Sequence, residues 1–203
     1  MTSRLVVNSV RHTGASADGI TLDASGNVTF PANATCSGTA TGFGGGKILQ
    51  VKQTKLTSAV SISGVTSYSN ISGFSVNITP ASTNNKILVM VQMNVSTEGE
   101  AIFKLQKSTS SATTDIGNST AGAYTSFTGI FGNTARSGYY DFLDKNFNFL
   151  EENLQSTDQH TFKVQWSNIT NVNTYLNRTA YSATGTHYSY SGSSSITAIE
   201  VEA

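Results

Sequence analysis

The residues that could do chemistry in this chain are three histidines, one cysteine and a few adjacent carboxylates. His12, His160 and His187 lie far apart in dissimilar contexts, whereas a metal site needs His, Cys or carboxylate ligands at tight spacing. Cys36 is the single cysteine, so no intrachain disulfide can form and folding needs no oxidising compartment. The nearest carboxylate pairs are Asp141 with Asp144 and Glu151 with Glu152. A glycosidase would need two carboxylates at a defined separation, and these read instead as solvated loop residues. Ser119, in Gly117-Asn118-Ser119-Thr120-Ala121-Gly122, misses the nucleophile elbow by one residue. Gly42 to Lys47 is glycine-rich, but a phosphate loop needs a glycine where Thr41 stands and a hydroxyl where Ile48 stands. The expectation is no catalytic residue, no cofactor and no metal.

Binding is a better use of what the sequence offers. Tyr181-Ser182-Ala183-Thr184-Gly185-Thr186-His187-Tyr188-Ser189-Tyr190-Ser191-Gly192 has the composition of a binding loop. Tyrosines give rigid amphipathic contact area, and small hydroxyls give adaptable hydrogen bonds. Tyr181, His187, Tyr188 and Tyr190 are the candidate contact residues. Strand alternation would put Tyr188 and Tyr190 on one face, where a flat sugar could lie across both. The alternative is a strand pair whose tyrosines pack on their own domain. Trp166, in phase with Phe162 and Val164, reads as core; Tyr124, Phe127, Phe131, Tyr139 and Tyr140 could form an apical patch, with core the better reading. Asn-x-Ser/Thr sequons begin at Asn27, Asn33, Asn70, Asn77, Asn94, Asn118, Asn168 and Asn177. A chain so rich in Asn and hydroxyls produces such triplets unaided.

The elements that must position these residues are strands. Ser and Thr exceed a quarter of the chain, charged residues make up only 12%, and Phe and Tyr together number eighteen. Low charge with abundant aromatic and β-branched residues describes folded β-structure and not disorder. Net charge is zero and the basic residues are scattered, so nothing draws a nucleic acid or an anionic membrane. No run approaches the roughly 20 apolar residues of a membrane span, and the start, Met1 to Val10, lacks the apolar core of a secretory signal.

Residues 1–46 read as an anchoring arm ending in a Gly-rich linker, Ser37 to Gly46. Leu5-Val6-Val7, Ile20-Thr21-Leu22 and Val28-Thr29-Phe30 each offer two or three apolar side chains, too few for a core. An isolated hairpin is marginal in water, so the arm is expected to lie on another surface or to intertwine with its own copies. Residues 47–203 read as a globular β-sandwich. Phe74, Val76 and Ile78 alternate with polar residues up to Pro80. Ile87, Val89, Val91, Met93 and Val95 share one face, with Leu88 and Met90 adding apolar bulk opposite, as in a central strand covered on both faces at its start. Further strands are expected at Ala101-Phe103-Leu105, Phe162-Val164-Trp166 and Ile199-Val201, and Tyr140 to Leu154 could hold one helical turn. Many short strands separated by turn residues indicate a sandwich or jelly roll.

Gly46-Lys47-Ile48-Leu49-Gln50-Val51 resembles the opening of a β-module found in fibre proteins of tailed bacteriophages, particularly marine cyanophages. Ser69 to Pro80, Asn85-Lys86-Ile87-Leu88-Val89 and Ser195 to Val201 are similar to its second, third and closing strands. Ile20 to Phe30 resembles the stalk segment that precedes such modules. The middle of the chain, 106–194, carries no resemblance. The resemblance implies an all-β homotrimeric virion subunit, assembled in the host cytoplasm. It would attach to other virion proteins through its arm, present its globular end to a host-surface glycan, and have no catalytic residues. A tail fibre or adhesin is the first expectation, and a capsid decoration or head fibre the second.

Overall fold

The computed structural model describes residues 6–31, 47–64, 66–118, 142–168, 172–180 and 189–203, and the backbone of 129–132. The chain divides into two compact units, Met1–Phe43 and Gly44–Ala203. Every regular element among the described residues is a strand. The first unit holds β1 (Ser9–Val10), β2 (Ile20–Leu22) and β3 (Val28–Thr29) in one antiparallel sheet. The β2–β3 turn is held by Asp23, whose carboxylate accepts from the backbone amides of Ser25 and Asn27, both at 2.8 Å, with Gly26 in the left-handed region at φ 83°. The side-chain amide of Asn27 adds a third bond at 2.7 Å, and chiefly this contact holds the Asp23 carboxyl below its ordinary pKa. Expected strand character at Val6-Val7 is not seen; the first strand begins at Ser9. Val6, Val10, Val28 and Phe30 are 78, 51, 52 and 41% exposed, and no apolar side chain among the described residues of this unit is fully buried.

The second unit holds β4 (Ile48–Leu56), β5 (Val60–Ser63), β6 (Ser69–Ile78), β7 (Lys86–Thr97), β8 (Glu100–Ser108), β9 (Thr113–Ile116), β10 (Gly129–Gly132), β11 (Leu143–Glu151), β12 (His160–Asn168), β13 (Asn173–Leu176) and β14 (Ser194–Val201). They form two antiparallel sheets. In one the order is β10-β8-β12-β6, with β9 beside the second half of β8. In the other the order is β4-β14-β7-β13-β5, with β11 also along β7. Val95 pairs with both Leu143 and Leu176. β13 therefore occupies the edge that β14 leaves after Gln92, and the sheet forks along β7.

Period-two alternation builds the core between the sheets. One sheet contributes Ile87, Val89, Val91, Met93, Val95, Leu176, Ile196 and Ala198; the other contributes Phe74, Val76, Ile78, Phe103, Leu105, Phe162, Val164 and Trp166. Trp166 is buried as expected. Two expectations need correcting. Tyr140 to Leu154 holds no helical turn where it is described: β11 runs through it, pairing residue by residue with β7. The opposite face of β7 is not covered at its start either, since Leu88 is only half-buried and Met90 is 42% exposed.

Candidate functional site

Of the four candidate contact residues, Tyr181, His187 and Tyr188 lie outside the described residues. Tyr190 is described, and it is 56% exposed. Its backbone is fixed against Thr179: the Thr179 amide donates to the Tyr190 carbonyl at 3.1 Å, and the Tyr190 amide donates to Thr179 Oγ1 at 3.3 Å. One residue further on, Arg178 and Ser191 form a β-bridge.

This anchorage depends on Asn177, which sequence reasoning noticed only as a sequon. It adopts φ 64°, a conformation that Asn tolerates better than most residues. It is buried, and every polar group it has is used. Its amide nitrogen donates to Leu56 O at 2.8 Å and Ser58 O at 3.0 Å, and its side-chain oxygen accepts from Ser194 Oγ at 2.6 Å. Its backbone donates to Asn94 O at 2.9 Å and accepts from Gly192 N at 3.1 Å. One residue thus ties the ends of β4 and β14 through its side chain, and β7 through its backbone, to the end of β13. Gly192 is required by crowding: a Cβ there would stand 2.9 Å from the Phe142 ring and 3.1 Å from Asn94 Cγ. Asn168 is likewise buried, donating to Val172 O and accepting from Thr174 Oγ1 at 2.7 Å. Asn168 and Asn177 are structural, whereas Asn70 and Asn77 lie on the solvent side of β6.

Arg178, bridged to Ser191, belongs to a second aromatic group that sequence reasoning missed. Arg178 stacks 3.9 Å above the Tyr175 ring centroid, a cation–π geometry. Tyr175 donates its hydroxyl to Glu98 Oε1 at 3.2 Å, and Asn173 donates to Glu98 Oε2 at 2.7 Å. Burial, then the charge of Glu98 and its hydrogen bond, raise the Tyr175 phenol above its ordinary pKa, with Arg178 opposing. The signal was present as Tyr-x-x-Arg, but the turn at Asn177 that brings the two together is a tertiary product.

The carboxylates expected in solvated loops need correcting, since Asp144 and Glu151 stand on β11 and Glu151 is buried, and the pair Glu151 and Glu152 does not converge. Alternation sends Glu151 inward to Lys107 at 3.1 Å and Glu152 outward to Lys86 at 2.6 Å. Asp144 lies on the outer face of β11, and Asp141 is outside the described residues. His160 is buried, with Nε2 3.0 Å from Leu154 O and Nδ1 without a hydrogen-bond partner. No cluster of three or more potential metal ligands occurs among the described residues, and no described helix is long and apolar enough to cross a membrane. No protein-family model matches this sequence, and no curated protein matches it.

Proposed function

We propose that the chain is a non-enzymatic structural subunit of a bacteriophage particle. It forms a homotrimeric tail fibre or adhesin, anchored to other virion proteins through residues 1–46 and contacting a host glycan through Tyr181, His187, Tyr188 and Tyr190. The observation that carries this reading is the first unit. Its described residues form a small sheet whose apolar side chains, the half-buried Ile20 apart, are exposed, and the second unit has a full core. A segment that cannot bury its own apolar surface needs a partner, and identical copies are the commonest one.

The second unit supports a jelly roll. Its strands pair in nested fashion, β4 with β14, β6 with β12, β7 with β11, and β8 with β9 and β10. An eight-stranded hairpin rolled into two sheets gives that pattern. An exposed Tyr190, held on a rigid base by Thr179 and Asn177, supports the contact site, because binding residues concentrate on loops carried by a stiff scaffold.

The test compares wild-type protein with Tyr188→Ala/Tyr190→Ala for labelling of host cells, at matched thermal stability. Truncating an aromatic anchor typically costs about 2 kcal/mol, roughly thirtyfold in affinity, and three linked sites amplify the loss. Labelling is expected to disappear in the double variant. Equal labelling would assign these tyrosines to packing, and no labelling by either protein would favour a capsid decoration.

A further inference from the structure

The two outer faces of the sandwich differ in kind. On the five-stranded sheet, the row of Ser167 and Ile102 carries a buried isoleucine, but the three cross-strand rows beyond it are polar: Asn77, Thr161 and Ser108; Ser75, Lys163 and Gln106; Asn70, Gln165 and Lys104. That is what a face left in water requires. On the other sheet, one row runs across all four long strands as Val51, Ile199, Leu88 and Leu150. It is flanked on one side by Ile48 and Val201, and on the other by Met90. Ile48, Val51, Leu150 and Met90 are 65, 55, 43 and 42% exposed. Contiguous apolar surface of this kind on a folded unit marks an association site.

Resting on the trimeric reading above, we propose that this outer face of β4, β14, β7 and β11 packs against two further copies of the same chain, around a three-fold axis running along the strands. The charges point to a copy and not to a different partner. No charged residue interrupts the apolar row, and at its near rim Lys86 is neutralised by Glu152 and Lys47 by Glu202. At the far rim, Lys55 on the β4 edge and Asp144 on the β11 edge border one shallow depression. Neither is ion-paired with a described residue. An axis along the strands brings the β4 edge of one copy to the β11 edge of the next and keeps the rows level. Val51 and Ile199 then meet Leu88 and Leu150 of the neighbouring copy, and Lys55 approaches its Asp144.

The size of the face sets how it must work. Four strands about 4.8 Å apart and four rows about 6.8 Å apart cover on the order of 500 Å², short of the roughly 800 Å² per partner in a standard interface. The face is therefore weak alone. The apolar band starts at Ile48, directly after the segment joining the two units, so association of the arms would tether the faces. Tethering raises the effective concentration to about millimolar, where a weak face becomes occupied.

The test uses the full chain with Cys36→Ser, Gln53→Cys and Asn148→Cys, treated with a short bis-maleimide. Positions 53 and 148 share a row on opposite edges, so cyclic packing links three chains into a covalent trimer, while each single-cysteine variant gives none. Adding Val51→Glu and Leu150→Glu, both at exposed sites, is expected to cut the cross-linked yield at least tenfold without lowering the melting temperature of the protomer. Asp144→Lys is expected to cut it severalfold, and Lys55→Asp to restore it. A covalent dimer as the end product would overturn the three-fold packing. A trimeric mass in light scattering with no cross-link would overturn this face while leaving the trimer standing. A monomeric mass would remove the trimeric reading and this inference together.

Discussion

Glu200 is a residue whose inward position on β14 would be an error in most cores. It is fully buried, yet its carboxylate accepts from Ala81 N at 2.7 Å, Asn85 Nδ2 at 2.6 Å and Gln50 Nε2 at 2.5 Å. Burial pushes its pKa up, but the bonds from Asn85, Gln50 and the backbone of Ala81 and Ser82 outweigh that and hold it below the ordinary carboxylate range. The carboxylate closes the β6–β7 turn onto the end of the sandwich. Glu200→Ala would strand three donors, so a loss of about 3 kcal/mol is expected in urea unfolding. His160 works in the other direction. Burial first, then the charge of Lys107, lower its pKa, while Glu151 and Asp158 pull it back less strongly. The folded chain thus keeps His160 neutral at a pH where the unfolded chain has already bound a proton. Stability is full above the unfolded value of about 6.5 and declines as pH falls from there to the folded pKa. The contribution of Glu200 is present above about pH 4.3 and is lost as pH falls through its lowered folded pKa. The melting temperature is expected to drop between pH 7.5 and 5.5 in the wild type and to stay nearly level in His160→Gln. An equal drop in both would remove His160 as the cause.

Among the elements, β6 shows how one residue can reset a strand. Ile71 and Phe74 are both buried although they differ in parity, and the pairing with β12 jumps between Lys163 and Gln165. Gly73, at φ 71°, makes that bulge. A Cβ there would meet only Leu56 Cδ1 at 3.6 Å, an ordinary contact, so backbone strain is the whole cost of substitution. Gly73→Ala is expected to lose about 1–2 kcal/mol, and Gly73→Asn less, because Asn enters the left-handed region more readily. Chemical denaturation of both variants measures the order, and Ala milder than Asn would contradict it. Alternation made β6, β7 and β12 legible in the sequence, since each puts large apolar groups on every second residue, whereas β14 is read from Ile199 and Val201, which lie on the outer face while Ile196 and Ala198 enter the core. β11 was missed because its repeat is Phe147 and Phe149 against Asn146 and Asn148, and asparagine argues locally against a strand. Pairing along the whole of β7 overrides that preference. The outer face of β7 was misjudged because Leu88 and Met90 have the residue types of a covered face. Sequence alone cannot say whether the cover comes from the same chain. At the candidate site, Tyr190 could be named from composition, but the base that carries it could not. Asn177, Thr179 and Gly192 matter through contacts with Leu56, Asn94 and Phe142, far away in sequence.

At the scale of the whole molecule, the two units call for different behaviour under dilution. The second unit has a core drawn from both sheets, with Phe74, Phe103, Phe162, Met93 and Leu105 fully buried, so its stability is its own. The first unit has seven strand residues in three strands, held by the Asp23 turn and by backbone bonds such as Gly19 N to Val10 O and Leu22 N to Asn8 O. A sheet this small is marginal when isolated, and its exposed valines and Phe30 gain only when something covers them. If identical copies provide the cover, order in the arm is linked to association and shifts with protein concentration. Amide hydrogen exchange separates the cases. Protection at Val10, Gly19 and Leu22 is expected to rise steeply between nanomolar and tens of micromolar protein, while protection at Val89, Val91 and Phe162 stays constant. The rise should be unchanged in Cys36→Ser, because a thiol in such an arm acts as a small apolar group and not as a cross-link. Protection in the arm that is equally high at both concentrations would mean that it holds itself without copies. Protection equally low at both would mean that its partner is another protein of the particle.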